Sequence, residues 1–214
     1  MRPYCLLPLF ALAAAAFAQA PGNLSAAESE AVVVTDAGTF RFEFEPAKAP
    51  RHVEQFITLA RQGYYDGSAF FRVVLNGIIQ GGDPLLKNPK TARNLWGTGG
   101  LSLLASEFSD LKHERGVVST IRIPNKPDSD GAQFFVCVSP QAALDGQYSA
   151  FGRVTEGMDV VEKISQATVD AAGLVEKPVR IQKVTIERKK QEPYLTASGA
   201  ELERTVTLKT TLGS

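Results

Sequence analysis

Short runs in which apolar and polar residues alternate, each closed by a turn rich in glycine, asparagine or aspartate, constrain this chain more than any other feature. The clearest is Thr39 to Phe44, where Phe40, Phe42 and Phe44 alternate with Arg41 and Glu43. A period of two sends the rings to one face of an extended strand and the charges to the other. Asp36-Ala-Gly38 joins this run to Ala31 to Val34, which predicts a hairpin. Further strands are expected at Ala69 to Val74 and Ile78 to Gln80, about a tight connection at Asn76-Gly77. Four more are expected at Gly116 to Ile121, Gln133 to Val138, Ala150 to Val154 and Val179 to Glu187. Helical spacing occurs in only two places. Pro50 to Gly63 carries Val53, Phe56, Ile57 and Ala60 on one stripe, and Met158 to Ser165 turns Val161 and Ile164 inward. The first of these helices is expected to plug or cover a sheet. Many short strands with two helices favour an all-β barrel over a doubly wound sheet, and closure would remove exposed strand edges.

The first twenty residues follow a different pattern. Arg2 precedes a leucine- and alanine-rich run from Cys5 to Phe17 that ends in Ala16-Phe-Ala18 and Ala18-Gln-Ala20. A cationic start, an apolar middle and small residues at the end make a secretory signal peptide over residues 1–20, cleaved at Ala18 or Ala20. A membrane anchor would want about 20 apolar residues, and no basic stop-transfer patch follows, so no stable membrane insertion is expected. Cys5 sits too early for a lipid-anchor cysteine. The expected location is outside the cytoplasm, the periplasm first and the extracellular space second. Residues 21–30 are small and polar and predict a flexible leader, followed by one domain over residues 31–190. In residues 191–214, Thr205-Val-Thr-Leu-Lys209 alternates like a strand while its surroundings suit a mobile tail, and both readings stay open.

Several functional classes find no support. Basic and acidic residues balance at 23 each, which gives nucleic acid or an anionic surface nothing to hold. The run Arg188-Lys189-Lys190 is expected to be a solvated strand end. Removal of the signal peptide leaves Cys137 as the single cysteine, flanked by Val136 and Val138; it is expected to be a buried small hydrophobe without a disulfide. His52 is assigned to a helix surface and His113 to a charged loop beside Lys112 and Glu114, so neither suggests a zinc site or a hydrolytic triad. Asp83, Asp128 and Asp130 fall in turn-rich stretches where aspartate bonds to nearby backbone. Gly97-Thr-Gly-Gly100 lacks the lysine and hydroxyl of a phosphate loop and is expected to be structural. A carbohydrate- or lipid-binding barrel would want an aromatic platform or a large apolar pocket signal that is missing.

What remains is Arg72 and Gln80, on one side of an extended pattern within Phe70-Phe-Arg-Val-Val and Ile79-Gln-Gly-Gly-Asp83. With Gly131-Ala-Gln-Phe-Phe-Val136 and Leu144-Asp-Gly-Gln-Tyr-Ser-Ala-Phe-Gly-Arg-Val154, these blocks resemble the cyclophilin family of peptidyl-prolyl cis-trans isomerases over about Ala31 to Ile186. The resemblance implies a closed eight-stranded antiparallel barrel capped by two α-helices, with the substrate groove on its outer wall. It gives Arg72 the catalytic role, Gln80 the support of that arginine and of the substrate backbone, and Phe135 the aromatic floor of a proline pocket. Ile78 and Leu144 match pocket walls, Gln133 the strand lining the groove, Tyr148 a groove position often held by histidine, and Ile121 with Arg122 the backbone edge that pairs with a peptide. Gly77 stands where relatives often carry phenylalanine and Ile78 where they carry methionine, so part of the proline pocket is expected to be thinner or rebuilt, and Ala143 stands where some carry tryptophan, which is expected to weaken binding of the family's bulky cyclic inhibitor. The implied partners are proline-containing peptides and unfolded protein clients of an exported, monomeric foldase without a cofactor. The alternative is a non-catalytic module that binds proline peptides.

The chemistry can be stated without the family. Rotation about a peptide bond meets a barrier of about 18–20 kcal/mol. At the twisted transition state the prolyl nitrogen loses resonance and gains a lone pair. A fixed guanidinium that donates to that nitrogen binds the transition state better than either ground state.

Overall fold

The computed structural model describes residues 24–126 and 128–190. In it β1 (Ser29–Thr35) and β2 (Gly38–Phe44) form the expected hairpin, with Val33 opposite Phe40 and Ala31 opposite Phe42. The Thr35 hydroxyl closes the turn by donating to the Gly38 carbonyl at 2.7 Å and accepting from the Ala37 N–H at 3.1 Å. α1 (Pro50–Arg61) starts on Pro50, whose fixed φ and missing N–H suit a first helical turn. Then come β3 (Ala69–Val74), β4 (Ile78–Gly81), β5 (Val117–Thr120), β6 (Phe134–Cys137), β7 (Ala150–Glu156), α2 (Met158–Ser165) and β8 (Leu174–Arg188). The strands close in the order β1, β2, β7, β5, β6, β4, β3, β8, antiparallel throughout. β8 is the long member that shuts the barrel, pairing Phe70 of β3 with Val179 and Val33 of β1 with Val184.

The interior is aromatic because the alternating strands face inward with rings. Phe40, Phe42, Phe44, Phe70, Phe134 and Phe151 are all buried there. α1 plugs one end with Phe56, whose ring lies 4.7 Å from that of Tyr65, 5.2 Å from Phe42 and 5.6 Å from Phe134. Tyr65 satisfies its buried hydroxyl by donating to the Ala132 carbonyl at 3.1 Å. At the β3–β4 tip, Asn76 takes a left-handed φ of 55° and the Gly77 N–H bonds to the Val74 carbonyl, a conformation asparagine tolerates better than most residues.

Four expectations need correction. The leader is structured in its described part: Ala26–Glu28 is a 3-10 turn held by a capping box between Ser25 and Glu28, and β1 begins at Ser29. β8 starts five residues before the expected Val179, because Pro178 and the charged pair before it hide a strand that shifts register there. His52 is not on a helix surface but 1% exposed. Its Nδ1 lies 2.6 Å from Glu107 Oε2 and its Nε2 2.9 Å from Asp130 Oδ2, so two acidic partners from distant loops compensate its burial. His113 does lie in the expected loop, although it too is buried, with its Nδ1 beside Asp145 and its Nε2 beside Ser119. Asp130, expected merely to shape a turn, is the centre of a network that also receives the hydroxyls of Ser106, Thr120 and Ser149. The proposed signal peptide, residues 191–214 and the strand-like run at 205–209 lie outside the described residues. Among the described residues no helix is long and apolar enough to cross a membrane.

Candidate active site

Phe134 and Phe135 show how the sheet builds a site on its outer wall. Neighbours on a strand point to opposite faces, so Phe134 joins the barrel core while Phe135 joins an outer cluster with Ile78, Val117, Cys137 and Ala150. Ile121, Leu144 and Tyr148 pack on that cluster. Tyr148 meets Phe135 edge-on at 5.5 Å, and the His113 ring stacks behind Phe135 at 5.9 Å and 17°. Phe135 is 1% exposed, so the apolar bed is well filled. Cys137 belongs to it as a small hydrophobe, its thiol pushed up to about 12 by burial.

Beside this bed, β3 and β4 pair Arg72 directly with Gln80. Arg72 Nη1 donates to Gln80 Oε1 at 3.3 Å, and its Nε to the Ala172 carbonyl at 3.4 Å. Gln80 in turn donates to Gln133 Oε1 at 2.9 Å. Gln133 passes its own amide hydrogens to the carbonyls of Gly97 and Gly99, at 3.0 and 2.6 Å. The glycine-rich loop is therefore structural, as expected: it terminates a polar relay that begins at the guanidinium. Asp83 holds the same loop by accepting from the Leu85 and Gly97 N–H groups. A side chain at Gly131 would meet the Gly100 carbonyl at 2.0 Å, so the loop can lie this close only against glycine.

These elements enclose a groove of about 590 Å³. Arg72, Gln80, Ile121, Arg122 and Tyr148 line it, whereas Gln133 stands behind Gln80, and Phe135, Ile78 and Leu144 form the adjoining bed. Gly97 and Thr98 of the glycine-rich loop, with Phe71 and Ile123, also line it, and sequence reasoning missed Trp96, Leu101, Pro124, Ala172 and Leu174. Trp96 was open to detection as the one tryptophan of the chain. Ala172 was not, since it contributes a backbone carbonyl. Gly77 itself lies where a β-carbon would press on Val74 at 3.0 Å.

The groove can hold a peptide against an apolar bed and offer it a fixed cation. Neither Arg72 nor Arg122 pairs with a carboxylate among the described residues. Among those residues no group of three or more histidine, cysteine, aspartate or glutamate side chains is placed to hold a metal ion.

Residues 31–186 match the family described as cyclophilin type peptidyl-prolyl cis-trans isomerase/CLD. A probable peptidyl-prolyl cis-trans isomerase of Brucella abortus is 38% identical over 187 residues, covering 83% of this chain and 95% of that protein. An Arabidopsis thaliana peptidyl-prolyl cis-trans isomerase is 36% identical over 147 residues, covering 66% and 83%. Peptidyl-prolyl cis-trans isomerase 9 of Schizosaccharomyces pombe is 34% identical over 78% of this chain, which spans only 27% of that longer protein. The crystal structure of a Cryptosporidium parvum cyclophilin-type isomerase, determined in the presence of the dipeptide Ala-Pro, superposes with a TM-score of 0.66 at 26% identity over 75% of this chain and 99% of that one. With the family match reaching all eight strands and the outer groove, the chain belongs to the cyclophilin-type peptidyl-prolyl cis-trans isomerases.

Proposed function

We propose that this chain isomerises X-Pro bonds in peptides and in unfolded segments of exported proteins, acting as a monomer outside the cytoplasm. The observation that carries the proposal is Arg72: a guanidinium without a carboxylate partner among the described residues, held on one side by Gln80 and on the other by the Ala172 carbonyl, at the edge of the Phe135 bed. In this reading the proline ring packs at the margin of Phe135, Ile78, Leu144 and Tyr148. Ile121 and Arg122 pair with the peptide backbone, and Gln80 fixes the neighbouring carbonyl so that only one side of the bond turns. Arg72 then donates to the prolyl nitrogen as it becomes pyramidal, lowering a barrier of about 18–20 kcal/mol. No proton moves and no covalent bond forms, so no cofactor is invoked. The relative determined with Ala-Pro supports a proline-peptide ligand.

A protease-free assay on a proline tetrapeptide tests the reading. Arg72→Ala is expected to lower kcat/KM at least about a hundredfold, the scale of losing one preorganised donor, with the fold retained. Equal rates in the two proteins would sink the catalytic role. Peptide binding without turnover in the wild type would establish the second reading, a proline-peptide binding module, which the nearly closed Phe135 and the presence of Gly77 favour. Export is read from residues 1–20, and N-terminal sequencing of the expressed protein should begin at Gln19 or Pro21; an uncleaved start would remove that part.

A further inference from the structure

The groove carries charge of one sign. Among the described residues its lining includes two arginines, Arg72 and Arg122, and no aspartate or glutamate. The chain as a whole has a formal charge of zero, so the positive character belongs to this cleft and not to the molecule. Elsewhere Arg41, Arg51, Arg93, Arg115 and Arg188 each pair with a carboxylate. A cleft lined by a single sign of charge focuses its field and raises the local concentration of oppositely charged ligands.

Arg122 is fixed differently from Arg72. Its guanidinium lies 5.2 Å from the centre of the Tyr148 ring and 5.7 Å from that of Phe108, a large apolar side chain left 46% exposed at the rim. Its Nε donates to the Gln147 carbonyl at 2.6 Å, and Nη2 reaches Gln147 Oε1 at 3.4 Å. Two rings and the backbone and side-chain carbonyls of Gln147 thus hold the cation in place, and among the described residues its partners are all neutral. Tyr148 also stands edge-on to Phe135, which puts Arg122 one ring beyond the apolar bed. An extended peptide advances about 3.3 Å per residue, so a side chain within two residues of a proline seated on that bed comes within reach of the guanidinium.

We propose that Arg122 is a specificity-determining residue that selects X-Pro segments bearing a carboxylate within two residues of the proline, so that acidic peptides are the preferred substrates. The inference rests on the isomerase reading of the groove. Arg72 serves every substrate through the prolyl nitrogen, whereas Arg122 distinguishes among them by charge. An exposed ion pair supplies a preference of about two- to fivefold. Salt weakens it, since the Debye length falls from about 10 Å at 0.1 M to about 3 Å at 1 M.

The test uses tetrapeptides that differ only in Glu, Gln or Lys directly before the proline, assayed without a coupling protease. In low salt the wild type should show kcat/KM in the order Glu, Gln, Lys, with steps of about two- to fivefold. The order should flatten in Arg122→Gln, invert in Arg122→Glu and collapse at 1 M salt. A wild type with no such order, or an order that survives unchanged in Arg122→Gln, overturns the proposal. Calorimetric affinities for the same peptides read the charge order without turnover. A protein that binds in this order yet isomerises nothing would therefore end the isomerase reading while upholding the selection by Arg122.

Discussion

His113 shows how one side chain organises a pocket without lining it. Its ring stacks behind Phe135, its Nδ1 lies 3.2 Å from Asp145 Oδ1, and its Nε2 lies 2.9 Å from the Ser119 hydroxyl. The backbone N–H of His113 bonds to the same Asp145 oxygen and, with the Nδ1 and Lys112 contacts, holds that carboxyl below its usual range. A carboxylate only accepts, so Nδ1 must donate; burial lowers the pKa of the ring and keeps it neutral, which leaves Nε2 to accept from Ser119. One imidazole therefore joins the bed, through Phe135, to Leu144, through its neighbour Asp145. His113→Phe keeps a ring behind Phe135 but leaves the buried Ser119 hydroxyl without its partner, at a cost of about 1–3 kcal/mol. Chemical denaturation should show that loss, and KM for a proline peptide should rise more than kcat falls. A variant with unchanged KM would mean that Phe135 and Leu144 hold their places without His113.

At the scale of elements, the turn before β8 is the least expected support of the site. Asp170 Oδ1 accepts from the N–H groups of Ala172 and Leu174, both at 2.9 Å, while Oδ2 pairs with Arg93 at 2.9 Å. Arg93 also donates to the carbonyls of Leu174 and Val175 and lies 4.9 Å from the Trp96 ring. The loop carrying Trp96 is thus tied to the turn that presents the Ala172 carbonyl to Arg72. Asp170→Ala should release that carbonyl and lower kcat about tenfold, the effect of roughly 1.4 kcal/mol at the barrier, with KM nearly constant and only a few degrees lost in Tm. Loss of Tm with kcat intact would show that the turn supports the fold alone. The sequence revealed little of this, and the reason is physical. Periodic elements were legible: β3 and α2 occupy the expected Ala69–Val74 and Met158–Ser165, because apolar spacing there is regular. Arg72 and Gln80 were legible as polar side chains set in an apolar strand pattern, whereas Gln133 and Tyr148 were read only through the family resemblance. The Ala172 carbonyl, and the partners of His52 in loops 55 and 78 residues away, leave no local pattern to read.

For the whole molecule, the buried polar groups predict where stability is lost. Burial alone would raise the carboxyl of Asp130, yet the bonds from His52, Ser149 and Ser106 outweigh it and hold the group below the usual aspartate range. Glu107 is held low in the same way by His52 and Arg51. Groups with depressed folded-state values stabilise the protein fully above their unfolded values, ordinarily about 3.9 for Asp and 4.3 for Glu, and lose that contribution as pH falls through the folded value. His113 acts in the same direction at higher pH. Its folded value is also depressed, so between the unfolded value of about 6.5 and the folded one the unfolded chain binds a proton that the native ring refuses. Stability should therefore decline in two stages on acidification, first below about pH 6.5 through His113 and again below about pH 4 through Asp130 and Glu107. Urea midpoints measured from pH 8 to pH 3 on wild type and His113→Phe separate the stages, since only the first should vanish in the variant. Both stages surviving in His113→Phe would show that the upper transition does not belong to His113. Because the Asp130 network bonds Thr120 and Ser149, the chain neighbours of Ile121 and Tyr148, the acid stage should also loosen the groove. Peptide affinity should then fall over the same range as the second stage, before the barrel core around Phe56 unfolds.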